Sequence, residues 1–158
     1  MKTLLFITTA FFATATLAYA AQSAYPGEAL YIVKVGVNEN VDSIVALDTA
    51  AEAEVQAEIF AERLEEIDRI TDDVQIDSKM ADAMQKEVGR QFALAFELIQ
   101  EVEDENDSAE AAVARAIMQS AIDYHMQNSH IATDYLTDDL MVYSKILTES
   151  LIANAAKA

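Results

Sequence analysis

The clearest pattern in this sequence is the recurrence of apolar side chains at three- and four-residue steps, which is typical of amphipathic α-helices. From residue 48 onward four such stripes follow one another, separated by polar stretches at 71–77, at 104–107 and before Thr137. Only three glycines and one proline occur among the 158 residues, and this scarcity of helix breakers favours long helices. The pattern therefore predicts an all-α fold with four long helices.

Each stripe predicts one helix. The first is capped by Asp48 or Thr49, and its stripe comprises Val55, Ile59, Phe60, Leu64, Ile67 and Ile70. The second begins at Ser78, and its stripe comprises Met80, Met84, Val88, Phe92, Ala95, Ile99 and Val102. The third begins near Asp107, and its stripe comprises Val113, Ile117, Ala121, Tyr124 and Ile131. The fourth is capped by Thr137, and its stripe comprises Leu140, Tyr143, Leu147 and Leu151.

A further apolar stripe precedes the four helices and predicts an N-terminal helical extension. Its members are Leu30, Val33, Val37, Val41 and Ile44. The β-favouring runs at 31–33 and 35–37 give a short strand as the alternative, but a lone strand without a partner is not stable. Because the connections between the long helices are short, successive helices should pack antiparallel as an up-and-down bundle.

The first residues of the chain have the pattern of a signal peptide. Lys2 precedes an apolar run at 4–17, and the Ala-Tyr-Ala sequence at 18–20 forms a cleavage site. The alternative, a retained membrane anchor, is disfavoured because the apolar run makes only about 21 Å of helix, against a hydrocarbon core of ~30 Å. We therefore predict that residues 1–20 are removed and that residues 21–158 form one domain, periplasmic or secreted.

The composition predicts an acidic surface. Lysine and arginine number 10 against 28 aspartates and glutamates, so the formal net charge is −18 at pH 7. Such a surface should repel nucleic acid and anionic lipid, so neither is expected as a partner. Solubility is the first interpretation of this charge, and attraction of cations or of a basic partner is the second. Cysteine is absent, so no disulfide is expected and apolar burial must stabilise the fold.

A row of glutamates on the first long helix is the candidate interaction face. Glu54, Glu58, Glu62 and Glu66 follow one another at four-residue steps, and each like-charged neighbour costs about 0.2–0.5 kcal/mol on an isolated helix. The favoured interpretation is a solvated face with its charge offset by basic side chains. These side chains are Arg63, Arg69, Lys79, Lys86 and Arg90. The alternative is a docking face for divalent cations or a cationic partner.

Two histidines and an aspartate are the candidates for a metal site. His130 and Asp134 lie one helical turn apart and could share a metal ion, whereas His125 points in another direction. A lone pair at this spacing is a weak signal. The favoured interpretation is a solvated helix end, where histidine also suits the helix dipole. We predict no bound metal and keep His125, His130 and Asp134 as candidates.

Motifs for cofactors and catalysis are missing from the sequence. A ferritin-like di-iron site needs Glu-x-x-His and a c-type haem needs C-x-x-C-H, and neither occurs. An EF-hand beginning at Asp104 would place Ala109 and Arg115 where glycine and glutamate are required. Neither G-x-S-x-G nor a glycine-rich phosphate loop occurs. We therefore predict no cofactor and a non-enzymatic protein.

Residues 26–67 carry the motif PG-x-x-LY-x-x-K, then the motif N-E-x-V, and then a predicted helix of the form A-E-R-L-E-E. The matching residues are Pro26, Gly27, Leu30, Tyr31, Lys34, Asn38, Glu39, Val41, Ala61, Glu62, Arg63, Leu64, Glu65 and Glu66. On these motifs the chain resembles an uncharacterised family of exported bacterial helical domains, a domain of unknown function, and more loosely so to residue 103. It departs from that family at Ile32, where proline is common, and in the single Arg63, where the family has an arginine pair. The resemblance implies an extracytoplasmic helical domain and supplies no substrate, cofactor or catalytic residue.

These features predict an exported, acidic, non-enzymatic helical bundle that acts by binding, as an interaction or envelope-associated module. The alternative is a periplasmic metal- or cation-binding protein, and a hydrolase is the least favoured interpretation. A protein partner fits the first prediction. An exposed apolar face on the N-terminal helix would also favour a homodimer.

Overall fold

The computed structural model describes the helical part of the chain. The described residues are 24, 31, 34, 46, 48–73, 76–105, 108–128 and 134–155. The chain divides into two units, Met1–Val45 and Ala46–Ala158. In the first unit Ala24 and Lys34 are buried, and the backbone at Tyr31 is helical. The predicted signal peptide and the apolar stripe of the N-terminal extension lie outside the described residues.

The second unit contains the four long helices that the sequence predicts. They are α1 (Thr49–Asp73), α2 (Ser78–Asp104), α3 (Ser108–Asn128) and α4 (Asp134–Ala155). No strand occurs within the described residues. The prediction of an all-α bundle is therefore confirmed.

Aspartate side chains fix the starts of the first two helices. Asp48 Oδ1 accepts a hydrogen bond from the Ala51 backbone N–H at 2.9 Å, so Asp48 caps α1. Asp77 Oδ1 accepts from the Met80 backbone N–H at 2.8 Å, immediately before α2. Both contacts satisfy backbone donors that have no partner within the first turn of a helix.

The predicted start of the last helix is wrong. The helix α4 begins at Asp134, so Thr137 lies inside the first turn and does not cap the helix. The earlier start brings Leu136 onto the same apolar face as Leu140 and Leu147, and all three side chains are buried. Burial of this additional leucine favours the longer helix.

The core is formed largely by the predicted stripes. In α1 and α2 the buried members are Ile59, Phe60, Leu64, Ile67, Ile70, Met84, Val88, Phe92, Ala95, Ile99 and Val102. The stripe of α4 is buried only in part, because Leu151 is exposed. The packed part of α4 therefore ends near Leu147.

Within the described residues, α2 and α3 occupy the centre of the bundle. They contact each other, and both α1 and α4 pack against them, but α1 and α4 do not contact each other. Gln119 bonds to Ser144 and Arg115 to Ser150, which shows that α3 and α4 run antiparallel. Asp68 contacts His125, near the C-terminal ends of both α1 and α3. These two helices therefore run parallel, as alternate helices of an up-and-down bundle do.

Phe92 of α2 joins the two outer helices. Its ring centroid lies 5.9 Å from that of Phe60 on α1, in an edge-to-face arrangement. It lies 4.1 Å from that of Tyr143 on α4, with the two rings stacked. Gly89 permits this approach, because a Cβ at that position would lie 3.0 Å from Tyr143 Oη. The aromatic side chains thus connect α1, α2 and α4.

Removing the Tyr143 hydroxyl should make the protein more resistant to alkali. Burial, and secondarily the nearby Asp139 charge, raises the pKa of Tyr143 above 10.0. The folded state therefore disfavours the phenolate. The stabilisation is complete below pH 10 and is lost as pH rises through the higher folded pKa. Urea unfolding at pH 8 and at pH 11 should show a smaller alkaline loss of stability for Tyr143→Phe than for the parent protein.

A second variant separates the two causes. Asp139→Asn removes the nearby charge and leaves burial in place, so it should reduce the alkaline loss less than Tyr143→Phe does. Equal alkaline losses in Tyr143→Phe and the parent protein would contradict the assignment.

Candidate binding groove

The predicted core face of α3 is wrong. Val113 is 46% exposed and Tyr124 is 62% exposed, and the buried face lies one position further along the helix. The residues of that buried face are Ala111, Ala114, Met118, Ile122 and His125. Alanine at the first two positions lets neighbouring helices approach closely, since interaxial distance depends on the side chains at the contact. The larger side chains of Val113, Ile117 and Tyr124 therefore lie on a second face of α3.

This second face of α3 lines a groove against α1. The groove has a volume of about 820 Å³. The residues from α1 are Ala61, Leu64, Glu65 and Asp68. Those from α3 are Val113, Ala116, Ile117, Ser120, Ala121 and Tyr124. Four members of the α3 stripe that we predicted to be core therefore line an open groove. They are Val113, Ile117, Ala121 and Tyr124.

A buried histidine contacts the acidic end of the groove. His125 Nδ1 lies 2.7 Å from Asp68 Oδ1, and the His125 side chain is only 3% exposed. The expectation of a solvated His125 is therefore wrong. The physical reason is that position 125 continues the packed stripe of Met118 and Ile122 by one turn. Among the described residues, His125 Nε2 has no hydrogen-bond partner.

The sequence gives no signal for this pair. Asp68 and His125 lie on different helices, and their proximity depends on how α1 and α3 are rotated about their axes. Asp68 also follows Leu64 by one turn on α1, so its approach to α3 is a consequence of the Leu64 stripe.

The predicted metal candidates are not brought together by what the structure describes. His130 lies outside the described residues, and Asp134 is described only as the first backbone position of α4. In the described ranges no three histidine, aspartate or glutamate side chains lie close enough to hold a metal ion. Metal binding by His125, His130 and Asp134 stays a hypothesis.

The glutamate row separates into two parts. Glu54, Glu58 and Glu62 are exposed, whereas Glu66 is buried and forms an ion pair with Arg63. Each four-residue step advances about 40° around a helix, so three steps rotate the row by about 120°. The last glutamate thereby reaches the packed side. An interaction face on this row can include the first three glutamates only.

Two of the basic side chains near the row form ion pairs within their own helices. Arg69 lies 3.7 Å from Glu65 on the surface of α1, and Arg90 pairs with Glu87 on α2. Glu54, Glu58 and Glu62 lie exposed on α1, and the acidic residues of the groove, Glu65 and Asp68, lie on the same helix.

Other buried polar groups connect the helices. Gln91 Nε2 donates to Gln56 Oε1 at 2.6 Å between α2 and α1. Arg115 of α3 pairs with Glu103 of α2 and donates to Ser150 Oγ of α4 at 3.0 Å. These contacts satisfy polar groups inside the bundle and do not converge on the groove.

The comparisons with known proteins give no match. No family model, no curated protein and no solved structure matches this chain. The resemblance carried by residues 26–67 stays a prediction. None of the described helices is long and apolar enough to cross a membrane.

Proposed function

We propose that this chain is an extracytoplasmic, non-enzymatic binding module whose binding surface is the α1–α3 groove. The observation that carries the proposal is the second apolar face of α3. It presents Val113, Ile117 and Tyr124 to an open groove in a bundle that already has a complete apolar core. Contiguous exposed apolar surface rimmed by polar residues is typical of interaction sites.

A partner would gain free energy by covering the exposed apolar side chains of the groove. Complete burial of a large apolar side chain contributes about 1.5–3 kcal/mol relative to exposure. A partner that covered Val113, Ile117 and Tyr124 together would thus remove enough apolar area from water to offset part of the entropy of association. The small side chains of Ala61 and Ala116 leave room for its contact surface.

The chemistry of the groove supports binding over catalysis. Among the described residues the histidine beside it is His125, which contacts Asp68, and its other nitrogen has no described hydroxyl or thiol partner. A nucleophile within hydrogen-bond reach of the base is the usual mark of a Ser–His–Asp site. An extracytoplasmic location rests on the signal-like segment at 1–20, and a mature protein that begins at Ala21 by mass spectrometry would support it.

A photocrosslinking experiment tests the groove. A photoreactive amino acid at Ala116 should form one discrete adduct in intact cells that express the full chain with its leader. The matched control places the same amino acid at Ala93, an exposed alanine of α2 that does not line the groove. We expect no such adduct from Ala93.

A groove-filling variant completes the test. Ala121→Trp, combined with the photoreactive group at Ala116, should remove most of the adduct, because the indole occupies the space between α1 and α3. Adducts of equal yield from Ala116 and Ala93, or an adduct that persists with Ala121→Trp, would contradict the proposal. Circular dichroism melting of each variant confirms that the bundle is intact.

A further inference from the structure

We infer that the occupant of the groove is a basic amphipathic helix of a partner protein. Its apolar face would lie along the groove, and a lysine or arginine would lie against Glu65 and Asp68. The inference rests on the proposed function and specifies the chemistry of the partner.

The distribution of charge along the groove carries the inference. The walls are apolar or small over most of their length, and among the described residues the charged side chains that line them are Glu65 and Asp68. Both are acidic and lie one turn apart at the same end. Tyr124, at this end of α3, presents an exposed aromatic ring, which attracts cations through its face. This end of the groove is therefore suited to a cation.

The directions of the helices add to the negative potential at this end of the groove. Because α1 and α3 run parallel, their C-terminal ends, at Asp73 and Asn128, lie at the acidic end of the groove. Helix C-termini carry partial negative charge. His125 Nδ1 lies 2.7 Å from Asp68 Oδ1, and this contact fixes the position of the carboxylate beside the groove. Arg69 approaches Glu65 only to 3.7 Å at the surface, which cancels little of its charge.

The shape of the groove favours a helix over a small enclosed ligand. The wall from Val113 to Tyr124 extends over about 16 Å, or three helical turns. The groove is open along this length, since Val113, Ala116 and Tyr124 are all exposed. Small-molecule sites, by contrast, bury most of the ligand surface. An amphipathic helix that lays one face in an apolar groove is a common mode of recognition, and the small walls allow close approach.

A second copy of this chain is a poor occupant by charge. The net charge of −18 makes two copies repel, and the exposed Glu58 and Glu62 lie on the same helix as the acidic end of the groove. A basic helix, by contrast, is attracted to the acidic surface and offsets part of its negative charge on binding. It also gains from attraction to the whole surface during the encounter.

Fluorescence anisotropy with two labelled peptides tests the inference on the full mature chain. Both peptides are amphipathic helices of about 18 residues with the same apolar face, a length at which isolated helices begin to be stable. One carries lysines on its polar flank and the other carries glutamates. The lysine peptide should bind more tightly. Its Kd should rise about threefold with Glu65→Gln or Asp68→Asn, and about tenfold with both.

Two controls separate the groove from general charge attraction. Glu97→Gln removes one exposed acidic side chain from α2, away from the groove, and should leave the Kd almost unchanged. Ala116→Trp fills the groove and should abolish binding, whereas Ala93→Trp should not. Glu65 is exposed, so Glu65→Gln remains a valid test even where Asp68→Asn disturbs the contact with His125.

Several outcomes would overturn the inference. These are equal affinity for the two peptides, no binding of either, or an equal effect of Glu97→Gln and Glu65→Gln. A concentration-dependent dimer in sedimentation that Ala116→Trp dissolves would show that a second copy is the occupant. An adduct within the same chain, in the photocrosslinking experiment, would show that the chain fills its own groove. The peptide results leave the proposed function standing, because the partner adduct at Ala116 is measured independently of them.

Discussion

Replacing Glu66 by alanine is expected to lower the free energy of unfolding by about 3–5 kcal/mol. Glu66 and Arg63 form an ion pair one turn apart on α1, and both side chains are only 2% exposed. The variant removes the carboxylate and leaves the guanidinium inside the bundle without it. Removing a carboxylate from beside a buried guanidinium is costly, because the interior solvates charge poorly. Urea unfolding followed by far-UV circular dichroism measures the loss.

The chain offers a matched control for this variant. Arg90 and Glu87 on α2 form an ion pair at the same three-residue spacing, but their side chains are 49% and 21% exposed. Glu87→Ala should cost no more than about 1 kcal/mol, since water screens the pair.

A double variant distinguishes the cost of removing one charge from the contribution of the whole ion pair. Arg63→Met combined with Glu66→Leu should recover most of the stability that Glu66→Ala loses, because hydrophobic replacement of a buried pair is often neutral. If Glu66→Ala cost as little as Glu87→Ala, the burial assigned to this pair would be wrong.

The second large effect is expected at Phe92. Phe92→Ala should lower the free energy of unfolding by about 3–5 kcal/mol, the usual cost of truncating a buried phenylalanine. The side chain is buried, and its ring contacts Phe60 on α1 and Tyr143 on α4. The cavity would thus open between three helices at once. Thermal and urea unfolding of the variant measure the effect.

Phe96 provides the comparison for Phe92. It follows Phe92 by one turn on α2, its ring is stacked on that of Phe92 at 5.8 Å, and its side chain is only half-buried. Phe96→Ala should therefore cost about 1 kcal/mol, because solvent can fill the space that the ring leaves. Equal losses for the two variants would show that Phe92 does not connect the outer helices as described.

Much of the fold could be predicted because it depends on local periodicity. The stripe from Met84 to Val102 specifies both the helix α2 and its buried face, and no other element is needed to identify them. The start of α1 is similarly local, since Asp48 bonds to a backbone group only three residues away. Such features follow from helix geometry alone.

The groove could not be predicted in the same way, because α3 has two apolar faces. Periodicity identifies the stripe of Val113 and Ile117 as the more hydrophobic face and predicts that it is the core. The bundle instead buries the face with Ala111 and Ala114, where small side chains permit close helix packing. Which face is buried depends on the neighbouring helices, and so does the contact between Asp68 and His125.

The separation of the two outer helices has a consequence for how the bundle comes apart. Within the described residues α4 contacts α2 and α3 but not α1, and its last turns carry the exposed Leu151 and Ile152. Native proteins open in cooperative parts of unequal stability. We expect α4 to open as one such part before α1 and α3 lose their contacts with each other. Local opening of α4 would then leave the walls between α1 and α3 packed.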